Sequence, residues 1–227
     1  MKYSNILKAK FISRPNRFIA YVELEEETVV CHVKNTGRCR ELLDADCEVY
    51  LTESANPNRK TKYDLVAVNK NGALFNIDSY APNIAAGEYL KELYPSALIR
   101  PETSFGKSRF DFYIENGNEK IIVEVKGVTL EKDGVALFPD APTERGEKHI
   151  KELTEYAGKG YKTQILFVIQ TENVNCFSPN DATHKEFGDA LRFAQQNGVT
   201  VTAVNCTVTP DSMEIKDNVD VCTIVDK

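Results

Sequence analysis

The sequence predicts an α+β protein built from two parts, a small β-barrel followed by a mixed β-sheet that carries helices. Three observations lead to this prediction. Short apolar runs separated by polar turns fill the chain up to about residue 70, which is typical of a barrel. Helical periodicity first appears after residue 80. An apolar run at 164–170, a helix at 183–197 and a strand at 199–204 then follow in the order of a parallel crossover. We therefore divide the chain into residues 1–80 and 81–227.

The first part is predicted to hold strands and one short helix at 41–43. The five predicted strands cover residues 6–12, 18–24, 28–33, 47–52 and 63–68. Polar connectors such as 13–17 and 25–27 separate them. Five short strands in so few residues favour a Greek-key barrel of the OB type.

The second part is predicted to begin with a helix at 83–93, since Pro82-Asn83 marks a helix start. A strand at 97–105 and a β-hairpin follow, then a loop at 131–142. Thr143 is expected to cap a helix that runs to about Gly158. After the crossover, residues 206–216 are interpreted as one more pair of strands.

The hairpin is formed by two alternating runs, 109–114 and 120–126, that flank Gly117-Asn118. If these two residues are the loop, Asp111 lies directly opposite Glu124. The alternation sends one set of side chains to a face that we expect to be core: Phe110, Phe112, Ile114, Ile121, Val123 and Val125. The other face, which we expect to carry chemistry, receives Arg109, Asp111, Tyr113, Glu124 and Lys126.

Opposed carboxylates repel, because directly opposite Cβ atoms on a sheet are roughly 4.5–5.5 Å apart. A divalent cation between Asp111 and Glu124 would relieve this repulsion, and hard oxygen ligands favour Mg²⁺ or Mn²⁺. Lys126 points to the same side, where it could bind a phosphate or an attacking water. With Asn116-Gly117 as the loop, Arg109 instead faces Glu124, but both acids keep the same face. The alternative interpretation is that these charges are the solvated side of a half-buried hairpin.

Basic residues suggest where a polyanion would bind. Near the start of the helix that Thr143 caps, Arg145, Lys148 and His149 share a face that would receive a phosphate, or alternatively form intrahelical ion pairs. On the barrel, the candidates for contact with an oligonucleotide are Arg14, Arg17, Phe18, Lys34, Arg38, Arg40, Arg59, Lys60 and Lys62.

Composition bounds the class of protein. Apolar and charged fractions of 42% and 27% are those of a globular protein, and a net charge of −6 argues against a protein that coats nucleic acid. Residues 1–80 hold 12 Lys and Arg against 11 Asp and Glu, so the negative charge lies in the second part. We find no signal peptide and no apolar run of membrane-spanning length, and we expect a cytoplasmic protein without membrane contact. The six cysteines lack metal-binding spacing and are expected to be reduced.

The order of elements in the second part resembles the core of PD-(D/E)XK nucleases, and several strings resemble the sugar fermentation stimulation protein (SfsA) family. These strings are 14–18, Asn35-Thr36-Gly37, Asn56-Pro57, 109–112, 124–130, 138–143, 145–149 and Phe177-Ser178-Pro179. They extend over nearly the whole chain, in order.

The resemblance implies an OB-like domain, a nuclease-like domain and DNA binding without marked sequence preference. By match to the nuclease motif, Asp111 and Glu124 would be metal ligands and Lys126 the partner of water or phosphate. Glu88 would be the helix carboxylate that completes the site, with Glu92 or Glu102 as alternatives.

We thus expect a Mg²⁺- or Mn²⁺-dependent, nuclease-like phosphodiester hydrolase that binds DNA. The alternative is a non-catalytic, sequence-nonspecific DNA-binding regulator that keeps the nuclease fold. RNA is a further possible partner, since OB barrels bind both polymers. The sequence leaves the strandedness of the nucleic acid and the oligomeric state open.

Overall fold

The first part of the chain is a closed five-stranded β-barrel of the OB type, as predicted. In the computed structural model, which describes residues 1–35, 37–54, 56 and 58–222, its strands run as follows. They are β1 (Ile6–Asn16), β2 (Ile19–Leu24), β3 (Glu27–Val33), β4 (Glu48–Glu53) and β5 (Tyr63–Lys70), with a short β6 (Ala73–Asn76) beside β5. The sheet order is β3-β2-β1-β4-β5-β6, and parallel pairing of β3 with β5 closes the barrel.

The barrel is closed around side chains that alternate inward along each strand. Val22, Val49, Leu51 and Leu65 are completely buried in its core. Two details differ from prediction. Strand β6 was not predicted, and residues 41–43 form a turn rather than a helix.

The second part is a mixed sheet with helices on both faces. Its elements are α1 (Ala81–Leu93), β7 (Leu98–Phe105), β8 (Ser108–Asn116), β9 (Glu119–Val128), β10 (Leu130–Lys132), β11 (Val135–Phe138), α2 (Glu144–Gly158), β12 (Lys162–Ile169), β13 (Cys176–Pro179), α3 (Asp181–Gln196), β14 (Val199–Thr209) and β15 (Ser212–Val221). The sheet order is β10-β11-β13-β15-β14-β12-β9-β8-β7.

The predicted crossover and helix cap are confirmed. Strand β12 pairs in parallel with both β9 and β14, and α3 connects β13 to β14 on one face of the sheet. The Thr143 side chain accepts the Gly146 N–H at 3.1 Å, which caps α2. Strands β10 and β11 lie almost entirely in the stretch 131–142 that was predicted as a loop, and β13 was not predicted; each of the three is only three or four residues long.

The hairpin of β8 and β9 has the predicted register over residues 112–116, with Phe112 opposite Val123 and Asn116 opposite Glu119. The prediction of one core face and one polar face is wrong, because α1 covers one side of the sheet while α2 and α3 cover the other. Phe110 also lies on the opposite face from Phe112. The neighbouring strand β7 is irregular at this point, where Glu102 has a φ of 52°.

The two parts of the molecule are tied together by hydrogen bonds at the end of β12. The Gln170 side chain donates to the carbonyl oxygens of Asn76 and Asp78 at 3.0 and 3.2 Å, and the Gln170 carbonyl accepts the Asn76 N–H at 2.9 Å. At the start of the chain, Tyr3 N–H donates to the Asp211 carbonyl at 2.7 Å. The Tyr3 hydroxyl also accepts a hydrogen bond from Asn76 Nδ2 at 2.9 Å and donates to Asp78 Oδ2 at 3.3 Å, so Tyr3 contacts both parts of the chain.

Among the residues described, no helix has the length and apolar character needed to cross a membrane.

Candidate functional site

Asp111 lies where the regular pairing between β8 and β9 ends. Beyond the Phe112–Val123 pair, the Asp111 carboxylate itself accepts the Val125 N–H, with Oδ2 at 2.7 Å. The side chain thus replaces a backbone acceptor of the ladder and is held beside the β9 strand. The Glu124 carboxylate lies close enough for its negative charge to act on Asp111, so the two acids share this edge of the hairpin.

Glu124 is almost completely buried, with 3% of its surface exposed. Its Oε1 atom accepts hydrogen bonds from Lys126 Nζ at 2.6 Å and from His149 Nδ1 at 2.5 Å. His149 is itself buried on the inward face of α2, next to Ile150 and Leu153 of the core. The E-x-K motif of β9 and the helix α2 therefore meet at one carboxylate, and both donors are fixed in place by it.

The electrostatics of the two carboxylates differ. Burial, followed by the negative charge of Glu124, raises the pKa of Asp111 to about 6. Burial also opposes ionisation of Glu124, but the hydrogen bond and charge of His149, together with Lys126, outweigh it and lower the Glu124 pKa. Glu124 is therefore the more readily ionised of the two carboxyls, while Asp111 keeps its proton to a higher pH.

Asn83, in the first turn of α1, is a member of the site that the sequence analysis did not identify. Its Nδ2 donates to Asp111 Oδ1 at 2.7 Å. A half-turn of this carboxamide would present its oxygen instead of its nitrogen, which makes Asn83 a neutral oxygen donor for a cation beside Asp111. Asn83 could have been identified from its position in the first turn of α1. The next turn of this helix packs against β8, since a Cβ at Gly87 would lie 3.3 Å from the Phe112 ring.

The prediction that Glu88 completes the site is wrong. Glu88 is exposed, and its Oε2 pairs with the N-terminal ammonium at 2.6 Å. Because successive helical residues are about 100° apart, Glu88 is roughly 140° around α1 from Asn83. Glu92 lines the same separate cavity as Glu88, and Glu102 pairs with Arg109 at 2.7 Å. Across the described ranges, no group of three His, Cys, Asp or Glu side chains is placed to hold a metal.

The three basic residues predicted on α2 do not share one exposed face. Arg145 and Lys148 are exposed, and Lys148 Nζ lies 3.7 Å from Glu152. His149 points inward to Glu124, so the prediction that it binds a phosphate directly from the helix surface is wrong. The helical repeat explains this, since residue 149 lies on the buried stripe with Ile150 and Leu153.

Four of the eight basic residues predicted on the barrel fall into two groups. Arg17 and Arg38 are exposed. Lys34 is half-buried and pairs with Asp78 at 2.6 Å, and Arg14 donates to three backbone carbonyls. The guanidinium of Arg14 and the ammonium of Lys34 are thus engaged by the protein itself, whereas no such contact is seen for the side chains of Arg17 and Arg38 among the described residues.

Comparison with known proteins gives matches over almost the entire chain. The family model described as "Sugar fermentation stimulation protein RE domain" matches residues 80–212, and the model described as "SfsA N-terminal OB domain" matches residues 12–77. The sugar fermentation stimulation protein homolog of Clostridium beijerinckii is 52% identical, with 97% of this chain and 99% of the relative covered. The homolog of Desulfitobacterium hafniense strain Y51 is 53% identical, with 97% and 98% covered.

A solved structure matches both parts at once. The structure of Pyrococcus furiosus SfsA in complex with Ca²⁺ superimposes with a TM-score of 0.85 at 28% sequence identity, and 97% of each chain is covered. The barrel and the mixed sheet thus have the same arrangement in the two proteins.

Proposed function

The chain belongs to the sugar fermentation stimulation protein (SfsA) family, and on that premise we propose that it is a DNA-binding protein whose second domain hydrolyses phosphodiester bonds with Mg²⁺ or Mn²⁺. The observation that supports this proposal is the shared position of Asp111, Glu124 and Lys126 at one edge of the β8–β9 hairpin. A buried and a half-buried carboxylate beside one ammonium are a costly arrangement for a structural role alone.

The oxygen donors at this edge fit a hard divalent cation. Asp111 and Glu124 supply carboxylates, and Asn83 can supply a carboxamide oxygen. Mg²⁺ is commonly held by only one or two carboxylates, with water in its other positions, so two acids are enough. A cation would also favour the ionised form of Asp111, whose pKa is raised by burial and then by the negative charge of Glu124. The Pyrococcus furiosus relative was solved with Ca²⁺, which prefers the same type of oxygen ligand.

When bound, the cation would polarise the scissile phosphate and lower the pKa of a bound water. The chain's own residues fix the geometry of the reaction. Lys126 is held by Glu124 at 2.6 Å, where its ammonium can position the attacking water or neutralise a phosphate oxygen. His149 holds the other side of the Glu124 carboxylate, and the Val125 N–H holds Asp111. Arg145 and Lys148, exposed on α2, are available to the phosphate backbone.

A second candidate function, DNA binding without turnover, is favoured by one feature of the same site. Both oxygens of Asp111 accept hydrogen bonds, and Glu124 is neutralised by Lys126 and His149. The hydrogen bonding of both acids is thus satisfied without a cation, as a binding protein that retained the fold would require.

A cleavage assay separates the two functions. Plasmid, linear duplex, single-stranded DNA and RNA are incubated with the protein and Mg²⁺ or Mn²⁺. We expect cleavage by the wild type, loss of about 10²-fold or more in Asp111→Ala and Lys126→Ala, and retained DNA binding by both variants. Lys107→Ala, at an exposed position in the β7–β8 turn, is the matched control and should cleave normally.

Cleavage that persists unchanged in Asp111→Ala and Lys126→Ala would refute the assignment of the site. Absence of cleavage on every substrate, with DNA binding intact, would support the non-catalytic function.

A further inference from the structure

The outer end of the barrel carries a cavity of about 350 Å³ that is rich in arginine. Its lining includes four arginines and, among the described residues, no carboxylate: Phe11, Arg14, Pro15, Asn16, Arg17, Gly37, Arg38, Cys39, Arg40 and Leu43. Arg17, Arg38 and Arg40 are exposed. Three free guanidinium groups around one cavity repel each other, and an anion in that cavity would relieve the repulsion.

Arg14 holds the two loops that form this cavity. Its guanidinium donates to the carbonyl oxygens of Arg38 at 2.6 Å, Arg17 at 2.8 Å and Asn35 at 2.7 Å. The first loop joins β1 to β2, and the second follows β3. Arg14 is therefore a positioning residue that fixes the backbone from which Arg17 and Arg38 project.

A carboxylate of the second part, Asp140, contacts the backbone of the second loop and leaves the Arg38 guanidinium available. Asp140, in the loop after β11, uses Oδ2 to accept the backbone N–H of Arg38 at 3.3 Å. The contact therefore holds the loop and does not pair with the Arg38 side chain. Guanidinium groups bind phosphate oxygens through paired hydrogen bonds, which makes a phosphate the fitting ligand.

The arginine cavity lies next to a smaller cavity between the two parts of the chain. A second cavity, of about 170 Å³, shares Gly37 with it and is also lined by Ser79, Asp140 and Gly127. Gly127 directly follows Lys126. At Gly37 the passage between the loops is tight, since a Cβ there would lie 2.7 Å from Asp140 Oδ2. The two cavities thus meet at Gly37, and the second one extends to Gly127 of β9.

We infer that the arginine cavity is a phosphate-binding site, formed by Arg17, Arg38 and Arg40, that anchors a nucleic-acid chain on the barrel. The ligand class is a phosphodiester or a terminal phosphate monoester of a nucleic acid. This inference rests on the proposed function for the identity of the polymer, but the phosphate site itself does not require cleavage.

The test compares two full-length triple variants that remove the same charge. One is Arg17→Ala/Arg38→Ala/Arg40→Ala, and the control is Lys91→Ala/Lys107→Ala/Lys120→Ala, at exposed positions outside the cavity. DNA binding is measured in EDTA by fluorescence anisotropy over a series of salt concentrations. We expect the arginine variant to bind on the order of 10- to 100-fold more weakly, with a salt slope reduced by about 2.

The control variant should change affinity much less. Equal losses in the two variants would overturn the inference, because they would show a response to overall charge rather than to this cavity. Oligonucleotides with and without a 5′-phosphate distinguish the two sources of phosphate. A preference for the 5′-phosphate that disappears in the arginine variant identifies a terminal group, and equal binding identifies an internal phosphodiester.

A second measurement does not depend on nucleic acid. A crystal of the wild-type protein soaked with tungstate, a dense phosphate analogue, should show a density peak between Arg17, Arg38 and Arg40. Absence of that peak, with tungstate bound elsewhere, would overturn the inference. If the wild type cleaves no substrate, the proposed hydrolase function fails, whereas the anisotropy and tungstate results still decide whether this cavity binds phosphate.

Discussion

Replacing Asp111 with asparagine should stabilise the cation-free protein, although it removes a residue of the proposed site. Burial and the charge of Glu124 raise the Asp111 pKa from 3.8 to about 6, so ionisation of this carboxyl is unfavourable in the folded protein. Asparagine keeps the shape and removes the charge. Its oxygen can still accept the Val125 N–H, and its amino group can donate to Asn83 once that carboxamide turns.

The magnitude follows from the pKa shift. A group whose pKa is raised on folding contributes stability at low pH and loses it as the pH rises through the folded pKa. For Asp111 this window runs from about 4 to about 6, and the complete shift corresponds to about 3 kcal/mol. The carboxyl is partly accessible to solvent, so we expect Asp111→Asn to gain about 1–3 kcal/mol above pH 7.

Urea denaturation in EDTA, followed by far-ultraviolet circular dichroism, measures the change, since the chain has no tryptophan. The advantage of Asp111→Asn should shrink as the pH falls below about 6 and disappear near pH 4. Added Mg²⁺ should stabilise the wild type but not the variant. Asp133→Asn, at an exposed loop position, should change nothing. A variant that is less stable than wild type in EDTA, or an effect independent of pH, would refute the reasoning.

Two further predictions concern residues that support the site. His149→Ala should lower the free energy of unfolding by about 2–4 kcal/mol, because it removes a hydrogen-bond donor from the buried Glu124 carboxylate. The control is Lys148→Ala at an exposed position, which should lower the free energy of unfolding by less than about 0.5 kcal/mol in the same denaturation assay. Equal effects of the two changes would contradict the role assigned to His149. Gly127→Ala should cost about 1–3 kcal/mol, because a Cβ there would lie 2.7 Å from Gln170 Oε1 and from Pro82, both of which pack at the junction of the two domains. Gly158→Ala is the control, because nothing lies within 4 Å of a Cβ at that position. If Gly127→Ala left the free energy of unfolding unchanged, the contacts at the domain junction would have rearranged to accept the Cβ.

The register of the central hairpin could be predicted because a Gly-Asn turn and two alternating runs fix it locally. The alternation did not reveal that helices cover both faces of the hairpin. A strand that is buried on both faces still alternates between apolar and polar residues when the polar residues belong to a functional site. Phe110 changes face because of an irregularity in the adjacent strand β7 at Glu102, which is a tertiary effect. The short strands β10, β11 and β13 are stabilised by sheet neighbours rather than by their own pattern.

In the candidate site, the hairpin residues were found from sequence, but their helical partners were not. Glu88 was chosen for its chemistry, whereas the helix presents Asn83 to Asp111. His149 was assigned to the surface, although its position on the buried stripe of α2 brings it to Glu124. Arg14 and Lys34 differ from Arg17 and Arg38 in the contacts that their side chains make in the folded protein. The positions of basic residues in the sequence do not reveal these contacts.

The most direct test of a shared cation site is the anomalous scattering of Mn²⁺ in a crystal soaked with that ion. The account predicts one strong peak within coordination distance of the carboxylates of Asp111 and Glu124, with the Asn83 carboxamide turned to present its oxygen. A well-ordered crystal without a peak between these two acids, or with Mn²⁺ only at the surface acids Glu88 and Glu92, would contradict it.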